Sequence, residues 1–127
     1  MPARGARLTA IPKPEWMKDA LCLEYPARWW YVDPYESGKR GKEVCQRCLV
    51  RQECLAFAIE RVERYGIWAG YDHHDFRRWH RYRQCRLCWD PIPFEQVAEL
   101  VLAGTEPARW CCRSCRNMRI RELGVAS

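Results

Sequence analysis

The sequence predicts a mostly α-helical fold, in which a small helical domain surrounds a metal cluster and a small four-cysteine zinc-knuckle and helical tail follows. Three observations support this prediction. The 127-residue chain contains nine cysteines, far above ordinary usage. Its apolar residues recur at helical spacing, and no alternating strand–helix pattern surrounds the cysteine motifs. A chain of this length has room for one small domain or two very small ones.

The first half of the chain is expected to contain a tail, a short helix, an aromatic loop and a long helix. The expected segments are a flexible basic tail over residues 1–14, a short helix from Pro14 to Leu23, a loop from Tyr25 to Lys42 and a long helix from Val44 to Tyr65. The apolar stripe of the long helix comprises Leu55, Ala58, Ile59 and Val62. Gly66 is expected just past the end of this helix.

The second half is expected to contain three further helices. They are a basic helix from Asp72 to Arg86, a helix from Phe94 to Ala103 that Gly104 ends, and a last basic helix that begins around "RWCCRSCR". In the first of these, Phe76, Trp79 and Tyr82 are spaced three residues apart. The predicted domains are the tail at 1–14, the cluster-binding helical domain at 15–83 and a basic zinc-binding module at 84–127.

The cysteines are expected to bind metal rather than to form disulfides. The segment "MPARGARLTAIPKPEW" has no apolar run suited to a signal peptide, and no segment has the apolar length of a membrane span. We therefore expect a cytoplasmic location without membrane contact, where thiols more often hold metal than pair. The odd number of cysteines also leaves one over from any complete pairing.

The segment "VCQRCLVRQEC" carries three cysteines and neither Gly nor Pro. On one straight helix, at about 100° per residue, Cys45 and Cys48 share a face while Cys54 lies on roughly the opposite side. If these thiols act together with Cys22, the chain must bend near residues 49–52. The unequal spacing of the four thiols favours an iron–sulfur cluster, whose corners lie several ångströms apart, although spacing alone is also compatible with zinc.

The later cysteines form two close groups separated by a helix, which is the pattern of a closed structural zinc site. The expected ligands are Cys85, Cys88, Cys111 and Cys115. The segment "RWCCRSCR" resembles the second half of treble-clef zinc knuckles, in which an Arg-aromatic-Cys triplet opens a helix. On that match Cys112 is the spare thiol, although Cys112 with Cys115 is also geometrically acceptable. The alternative is that these are buried free thiols.

The net charge of +6 is concentrated in the second half of the chain. The windows Arg77–Trp89 and Arg109–Arg121 each contain five Arg and no acidic residue. The candidate nucleic-acid contacts are Arg77, Arg78, Arg81 and Arg83. His73, His74 and His80 are expected to be surface or phosphate-facing residues rather than metal ligands, because thiols are plentiful.

Four motifs, "EWMKDALC", "WWYVDP", "CQRCLVRQECLAFAIE" and "YGIWAG", occur in an order that resembles the WhiB-like proteins, small transcription factors of actinobacteria and their phages. The resemblance covers about residues 16–83. It implies a compact helical fold around a [4Fe–4S] cluster held by Cys22, Cys45, Cys48 and Cys54. It also implies binding to the C-terminal region (region 4) of the primary sigma factor in RNA polymerase, and contact of a basic C-terminal segment with promoter DNA.

The resemblance places the sigma-binding surface at the Gly-rich turn and at aromatic residues near the cluster. The expected partner-binding residues are Trp16, Trp29, Trp30, Gly66, Ile67, Trp68 and Gly70. Trp68 also has the residue type and loop placement of an interface anchor, the alternative being a core residue beneath the turn. Because Trp29 and Trp30 are adjacent, one is expected to cover the cluster and the other to face a partner. We expect no homo-oligomer.

Three departures from the family pattern matter. Family members often carry Pro after the CxxC pair, where this chain has Leu49, so the bend is left to the cluster. Ala69 stands where Gly is usual, and it is strained by roughly 1 kcal/mol if the turn needs a positive φ. The zinc-like tail after Tyr82 is not a general family feature.

Two other functions compete with transcription regulation. "CQRC" could be a thiol–disulfide redox pair, but Cys22 and Cys54 would then have no role. Nothing resembles a nucleotide-binding loop, a nucleophile elbow or an acid–base carboxylate pair, so we expect no enzyme. An all-zinc nucleic-acid-binding adaptor without a sigma partner is the main alternative. An iron–sulfur core would act chiefly as a scaffold, and attack by oxygen or nitric oxide would dissolve the partner surface.

Overall fold

The computed structural model describes residues 14–33 and 37–122. Within these ranges the chain is mostly helical, with no β-strand beyond two isolated bridges, which confirms the predicted fold class. The α-helices are α1 (Lys39–Gln46), α2 (Arg51–Arg61), α3 (His73–Arg81), α4 (Phe94–Leu102) and α5 (Arg113–Glu122). The tail predicted at 1–14 lies almost wholly outside the described residues.

The segment before α1 is more broken than the single helix predicted from Pro14 to Leu23. It forms two 3-10 helices, Glu15–Asp19 and Leu21–Glu24, separated by Ala20 in an extended conformation. A third 3-10 helix covers Ala27–Trp29. Short i→i+3 turns satisfy the backbone here without the length that an α-helix needs to be stable. The predicted loop is also shorter than expected, because α1 already begins at Lys39.

The bend predicted inside "VCQRCLVRQEC" is present, but it lies at residues 47–50 rather than near residues 49–52, and it divides the helix predicted from Val44 to Tyr65. Helix α1 ends at Gln46 and α2 begins at Arg51. Between them the chain makes turns rather than a continuous helix, and Val50, which precedes α2, has φ −107° and ψ 27°. Neither Gly nor Pro causes this interruption, so local propensity does not explain it.

The end of α2 differs from the prediction that Gly66 follows the helix directly. The helix ends at Arg61, and Val62 adopts the left-handed conformation (φ 49°) that usually takes Gly. The backbone N–H of Glu63 then donates to Ala58 O at 3.1 Å, which satisfies a carbonyl at the helix end. Gly66 (φ 84°) serves a later turn, where a Cβ would lie 2.8 Å from the Tyr31 ring.

Helix α3 begins at a capping box and ends earlier than predicted. The Asp72 carboxylate accepts from the backbone N–H of His74, and the side chain of Asp75 faces the backbone N–H of Asp72. The helix ends at Arg81, before the predicted Arg86, because the chain turns there into the cysteine knuckle. Phe76 and Trp79 are buried as their spacing predicts, whereas Tyr82 is exposed.

One hydrophobic core extends across the predicted boundary at residue 83. The helices α2 and α4 pack extensively against each other. The buried members of this main core come from α2, α3, α4 and the cysteine module: Leu55, Ala58, Ile59, Ala69, Phe76, Trp79, Cys85, Ile92, Val97, Ala98, Leu100, Val101 and Trp110. A smaller core beside α1 contains Trp30, Val44, Cys45 and Ile67. No helix in the described part of the chain is long and apolar enough to cross a membrane.

Gly41 allows α1 to pack closely against the aromatic segment, and this generates a stability prediction. A Cβ at Gly41 would lie 2.7 Å from Trp29 O and 3.1 Å from Trp30 Nε1. We therefore expect Gly41→Ala to destabilise the protein by about 1–3 kcal/mol, although Ala is the better helix former by about 1 kcal/mol. Thermal unfolding of anaerobically prepared protein measures the effect.

The control for this prediction is Glu43→Ala, an exposed position in the same helix. It should change stability by less than about 0.5 kcal/mol. A Gly41→Ala variant with a Tm above that of the wild type would show that the close backbone approach does not limit this helix.

Candidate metal centres

Four cysteines line one cavity in the N-terminal half. The cavity has a volume of about 820 Å³, and its walls include Cys22, Cys45, Cys48 and Cys54. The four thiols come from separate segments, namely the 3-10 helix Leu21–Glu24, α1, the bend and α2. The break after Gln46 therefore lets Cys54 face the same space as the other three thiols.

N–H groups surround the sulfur atoms of this first group. The Trp30 indole Nε1 donates to Cys45 Sγ at 3.2 Å, and the backbone N–H of Leu21 donates to Cys48 Sγ at 3.5 Å. The backbone N–H groups of Gly70 and Ala69 also act to lower the pKa of Cys45 and of Cys54, respectively. Such N–H···S hydrogen bonds orient metal-bound thiolates and tune the metal that they hold.

Burial raises the pKa of three thiols in this group. Burial raises the pKa of Cys54 to about 12, with repulsion from neighbouring thiolates as a further cause. Burial also raises the pKa of Cys22 and of Cys45, while the N–H donors to Cys45 act in the opposite direction. Four thiolates in one buried site repel each other, so a positive metal centre is what allows them to ionise together. The donor set fits a thiolate-bound metal centre.

The second group of cysteines is tighter. The Sγ atoms of Cys85, Cys88, Cys112 and Cys115 all lie within 4.8 Å of one another, so this group could hold a metal ion. Cys88 Sγ lies 3.8 Å from Cys112 Sγ. Within the part of the chain that the structure describes, this is the one group of metal-ligating residues found at such close spacing.

The close group contains Cys112, the alternative thiol of the predicted zinc ligand set, rather than Cys111. Cys112 and Cys115 are three residues apart at the start of α5, so both thiols lie on the same side of its first turn. The preceding Trp110 is fully buried and donates from Nε1 to Thr105 O at 2.9 Å, which fixes how the chain enters the helix. Cys111 also lies next to Cys85, but its sulfur is not among the four that lie within 4.8 Å of one another. The spacing of Cys112 and Cys115, which was the alternative, matches this close group.

Backbone N–H groups also converge on Cys85. The N–H of Leu87 donates to Cys85 Sγ at 3.4 Å, and those of Cys88 and Cys112 donate to the same sulfur. Burial by itself would raise the pKa of Cys85, but these donors outweigh it and lower the pKa to about 6. Side-chain hydrogen bonds from Cys112 and Cys88 raise the pKa of Cys115. One thiolate stabilised by several N–H donors suits the first ligand of a metal knuckle.

Of the predicted partner-binding residues, Trp16, Trp30, Ile67 and Trp68 line the first cavity, and Trp29, Gly66 and Gly70 do not. The arrangement of Trp29 and Trp30 differs from expectation. Their rings stack side by side, with centroids 6.1 Å apart, rather than pointing to opposite sides. Both pack against the smaller core, because the tight 3-10 turn at Ala27–Trp29 brings the two side chains together. Trp30 is buried, whereas Trp29 is half-buried beneath Arg40, whose Cζ lies 5.5 Å from the ring centroid.

Trp16 and Trp68 are linked by a residue that the sequence analysis did not single out. Phe57 of α2 lies between them, with ring centroids 5.6 Å from Trp16 and 5.7 Å from Trp68. Trp68 is half-buried and donates from Nε1 to Tyr65 O at 2.9 Å. Phe57 follows Cys54 by three residues on α2, so helical spacing from a cysteine was the signal that could have identified it.

The four arginines expected to contact nucleic acid differ in exposure and in their contacts. Arg77, Arg78 and Arg81 are exposed, and none forms an ion pair with a described carboxylate. Arg83, which was predicted to contact nucleic acid with them, donates to Ile92 O at 3.0 Å and lies 4.2 Å above the Phe94 ring. Its guanidinium is used within the fold, because the chain has already left α3 at this residue.

The three histidines are not part of either cysteine group in the described structure. The His80 ring stacks on Phe94 with centroids 5.4 Å apart, so it packs within the fold rather than facing phosphate. His73 and His74 open α3, where His74 is exposed and His73 is half-buried.

The fold and the two thiol groups define a small, helical, cysteine-rich metal-binding protein. The family model "Transcription factor WhiB" matches residues 16–78. The transcriptional regulator WhiB of Streptomyces coelicolor is 36% identical over 63 residues, which is 50% of this chain and 72% of the relative. WhiB2 of Bifidobacterium longum is 36% identical over 66 residues, 52% of this chain and 67% of the relative. The chain belongs to the WhiB family of transcription regulators.

The second cysteine group lies beyond the matched region, which ends at residue 78 in the family model. A third relative, WhiB2 of Mycobacterium tuberculosis, is 34% identical over 64 residues, or 50% of this chain and 72% of the relative. The Cys85, Cys88, Cys112 and Cys115 site is therefore an addition to the part of the chain that carries the family likeness.

The replacement of Cys111 by Cys112 generates a prediction about metal retention. We expect Cys112→Ser to lose the metal ion of the second site, because it removes one of four ligands. Cys111→Ser is the matched control and should retain this metal. Elemental analysis of the purified variants measures the difference, and loss of metal from Cys111→Ser alone would restore the original ligand set.

Proposed function

We propose that this protein is a non-enzymatic transcription regulator that binds region 4 of the primary sigma factor and, through a basic face, promoter DNA. In this proposal a [4Fe–4S] cluster is held by Cys22, Cys45, Cys48 and Cys54. Zinc is held by Cys85, Cys88, Cys112 and Cys115. The site of action is the cytoplasm, where RNA polymerase works.

One observation carries the proposal: the Gly-rich turn packs directly against the cysteines of the first cavity. An added Cβ at Gly70 would lie 3.9 Å from Cys45 Cβ, and the backbone N–H groups of Gly70 and Ala69 act to lower the pKa of Cys45 and of Cys54. On the other side of the same turn, Arg51 Nε donates to Ala69 O at 3.1 Å. The position of the turn and the arrangement of the thiols therefore depend on each other, as a partner surface governed by a metal centre requires.

The geometry supports different metals at the two sites. Zinc–sulfur bonds of about 2.3 Å need four sulfur atoms very close together, and the second group meets this condition. The first four thiols instead lie along the wall of a larger cavity that many other residues also line, and they are not grouped within 4.8 Å of one another as the second four are. This wider spacing suits a larger polynuclear group. When bound there, a [4Fe–4S] cluster would supply a redox-sensitive crosslink among four chain segments.

Metal analysis tests this assignment. Protein purified without air is expected to contain about four iron and four sulfide and about one zinc per chain. Cys54→Ser should lose the iron and keep the zinc, because Cys54 belongs to the first group alone. A colourless protein that carries only zinc at the first four cysteines would contradict the proposal and favour an all-zinc nucleic-acid adaptor.

The partner surface is supported by the aromatic series Trp16–Phe57–Trp68. Its three rings contact one another in sequence and are all half-buried at the wall of the first cavity. Arg61 covers the Phe57 ring, with Cζ 5.1 Å from its centroid. A rigid, half-exposed aromatic group of this kind loses little entropy on binding and is typical of an interface anchor.

We expect Trp68→Ala to weaken binding to region 4 of the primary sigma factor by at least about 10-fold, as for a typical aromatic hot spot. Trp68→Phe should retain part of the affinity, because a ring still stacks on Phe57. Anaerobic co-purification or titration with isolated region 4 measures the effect, with iron content checked in each variant.

The control for the sigma experiment is Met118→Ala, an exposed apolar residue on α5. It should bind region 4 as the wild type does. Equal binding by Trp68→Ala and the wild type, with iron retained in both, would remove Trp68 from the sigma surface.

The proposed DNA-binding face lies on α3 rather than on α5. Arg77, Arg78 and Arg81 have no described carboxylate partner, so their charges are available to phosphates. On α5, by contrast, Arg113 and Arg116 both pair with Glu99, at 2.9 and 3.5 Å. These ion pairs reduce the positive field of the first turns of α5.

A further inference from the structure

Trp89 combines an unfavourable backbone conformation with an exposed ring. It follows Cys88 in the metal knuckle and has φ 66°, in the left-handed region that favours Gly. Its side chain is nevertheless 62% exposed. Packing does not explain a Trp at this position, and an outlier of this kind points to a function for the side chain.

The backbone of Trp89, not its ring, serves the metal knuckle. Its N–H donates to Cys85 O at 2.9 Å and closes the turn between Cys85 and Cys88. Any residue that accepts the left-handed conformation could do this. The contrast with Trp79 and Trp110 is clear, since both of these rings are buried in the main core. The Trp89 ring is therefore free to contact another molecule.

A guanidinium lies against the exposed ring. Arg86 Cζ is 5.9 Å from the Trp89 ring centroid, and Arg86 Nε donates to Pro107 O at 3.1 Å, which fixes the side chain in place. Arg86 forms no ion pair with a carboxylate of the described residues. Asp90 is the acidic residue within the knuckle, and its backbone carbonyl accepts from Cys85 N. The Arg86 guanidinium thus adds a positive charge beside the exposed Trp89 ring.

We propose that Trp89 and Arg86 form a base-stacking contact for DNA, in addition to the phosphate contacts proposed for Arg77, Arg78 and Arg81. This inference rests on the DNA-binding part of the proposed function. The unpaired arginines favour a polyanion over an apolar protein segment, and an exposed Trp beside Arg can stack on any base. Because a base inside a duplex is covered on both faces, Trp89 contacts a base that is unpaired or partly unstacked.

The test uses the full chain with iron and zinc contents verified, and a fluorescent probe of mixed sequence, about 24 nucleotides long, which exceeds the site size of typical single-strand binders. The probe is used both single-stranded and as a duplex. Trp89→Asn removes the ring, and Asn tolerates the left-handed conformation. It should bind the single strand about 10-fold more weakly, as expected for loss of one stacking contact. Trp89→Phe should retain most of the affinity. The salt dependence should not change, because stacking displaces no counterions.

A further variant tests the basic face of α3 separately. The triple variant Arg77→Ala, Arg78→Ala, Arg81→Ala should weaken binding to both probes and reduce the slope of log affinity against log salt by about two to three. If the wild type binds neither probe, the DNA-binding part of the proposed function fails, and the Trp89 inference fails with it.

Other outcomes concern Trp89 alone. If the wild type binds DNA and Trp89→Asn binds both probes as tightly as the wild type does, the stacking inference is overturned, while the proposal for the basic face is unaffected. If Trp89→Asn weakens sigma binding and leaves DNA binding unchanged, Trp89 is a protein contact and the inference is again wrong. If Trp89→Asn loses zinc, Trp89→Gly is used instead in each comparison, because Gly adopts the left-handed conformation without strain.

Discussion

The thiols of Cys22, Cys45, Cys48 and Cys54 line one cavity, and each reaches it from a different segment of the chain. This convergence requires the helix to break after Gln46, at a place where the sequence offers neither Gly nor Pro. It also brings backbone N–H groups of the Gly-rich turn onto two of the sulfurs. The aromatic residues that surround the cavity are positioned by the same arrangement, so the shape of the N-terminal half depends on how four thiols are held together.

Helix α2 connects this cavity to the rest of the molecule. It carries Cys54 and, one residue later, Leu55, which is fully buried in the main core against α4. Cys85 and Trp110 of the second cysteine group lie in that same core. Cys54 and the second cysteine group both pack against this main core, whereas Cys22 and Cys45 belong to the smaller core. Helix α2 and Cys54 are therefore the route by which a disturbance at one cysteine group acts on the other.

Non-glycine residues in the left-handed conformation occur at three described positions, Val62, Ala69 and Trp89. Each borders a feature of proposed function. Val62 ends the helix that carries Cys54, and the backbone N–H of Ala69 faces Cys54. Trp89 closes the turn between Cys85 and Cys88. Side chains are rarely kept in this conformation unless the surrounding structure compensates for the cost. Ala69 stands where the family usually has Gly, and strain was expected there if φ were positive. The φ of Ala69 is positive, so this condition is met.

Periodicity and spacing in the sequence predicted helices near α2 to α5 and the presence of two thiol groups, because these features depend on residues close together in the chain. The interruption inside the first cysteine motif follows instead from bringing Cys54 to the same cavity as Cys22, which lies in a distant segment. The tertiary structure decided which thiols meet. Cys112 replaces Cys111 because buried Trp110 sets the direction in which the chain enters α5. The Arg83 side chain is likewise held within the fold, by its contacts with Ile92 and Phe94. Which thiols meet and which contacts an arginine makes depend on packing between distant segments. Helical spacing and residue type do not predict that packing.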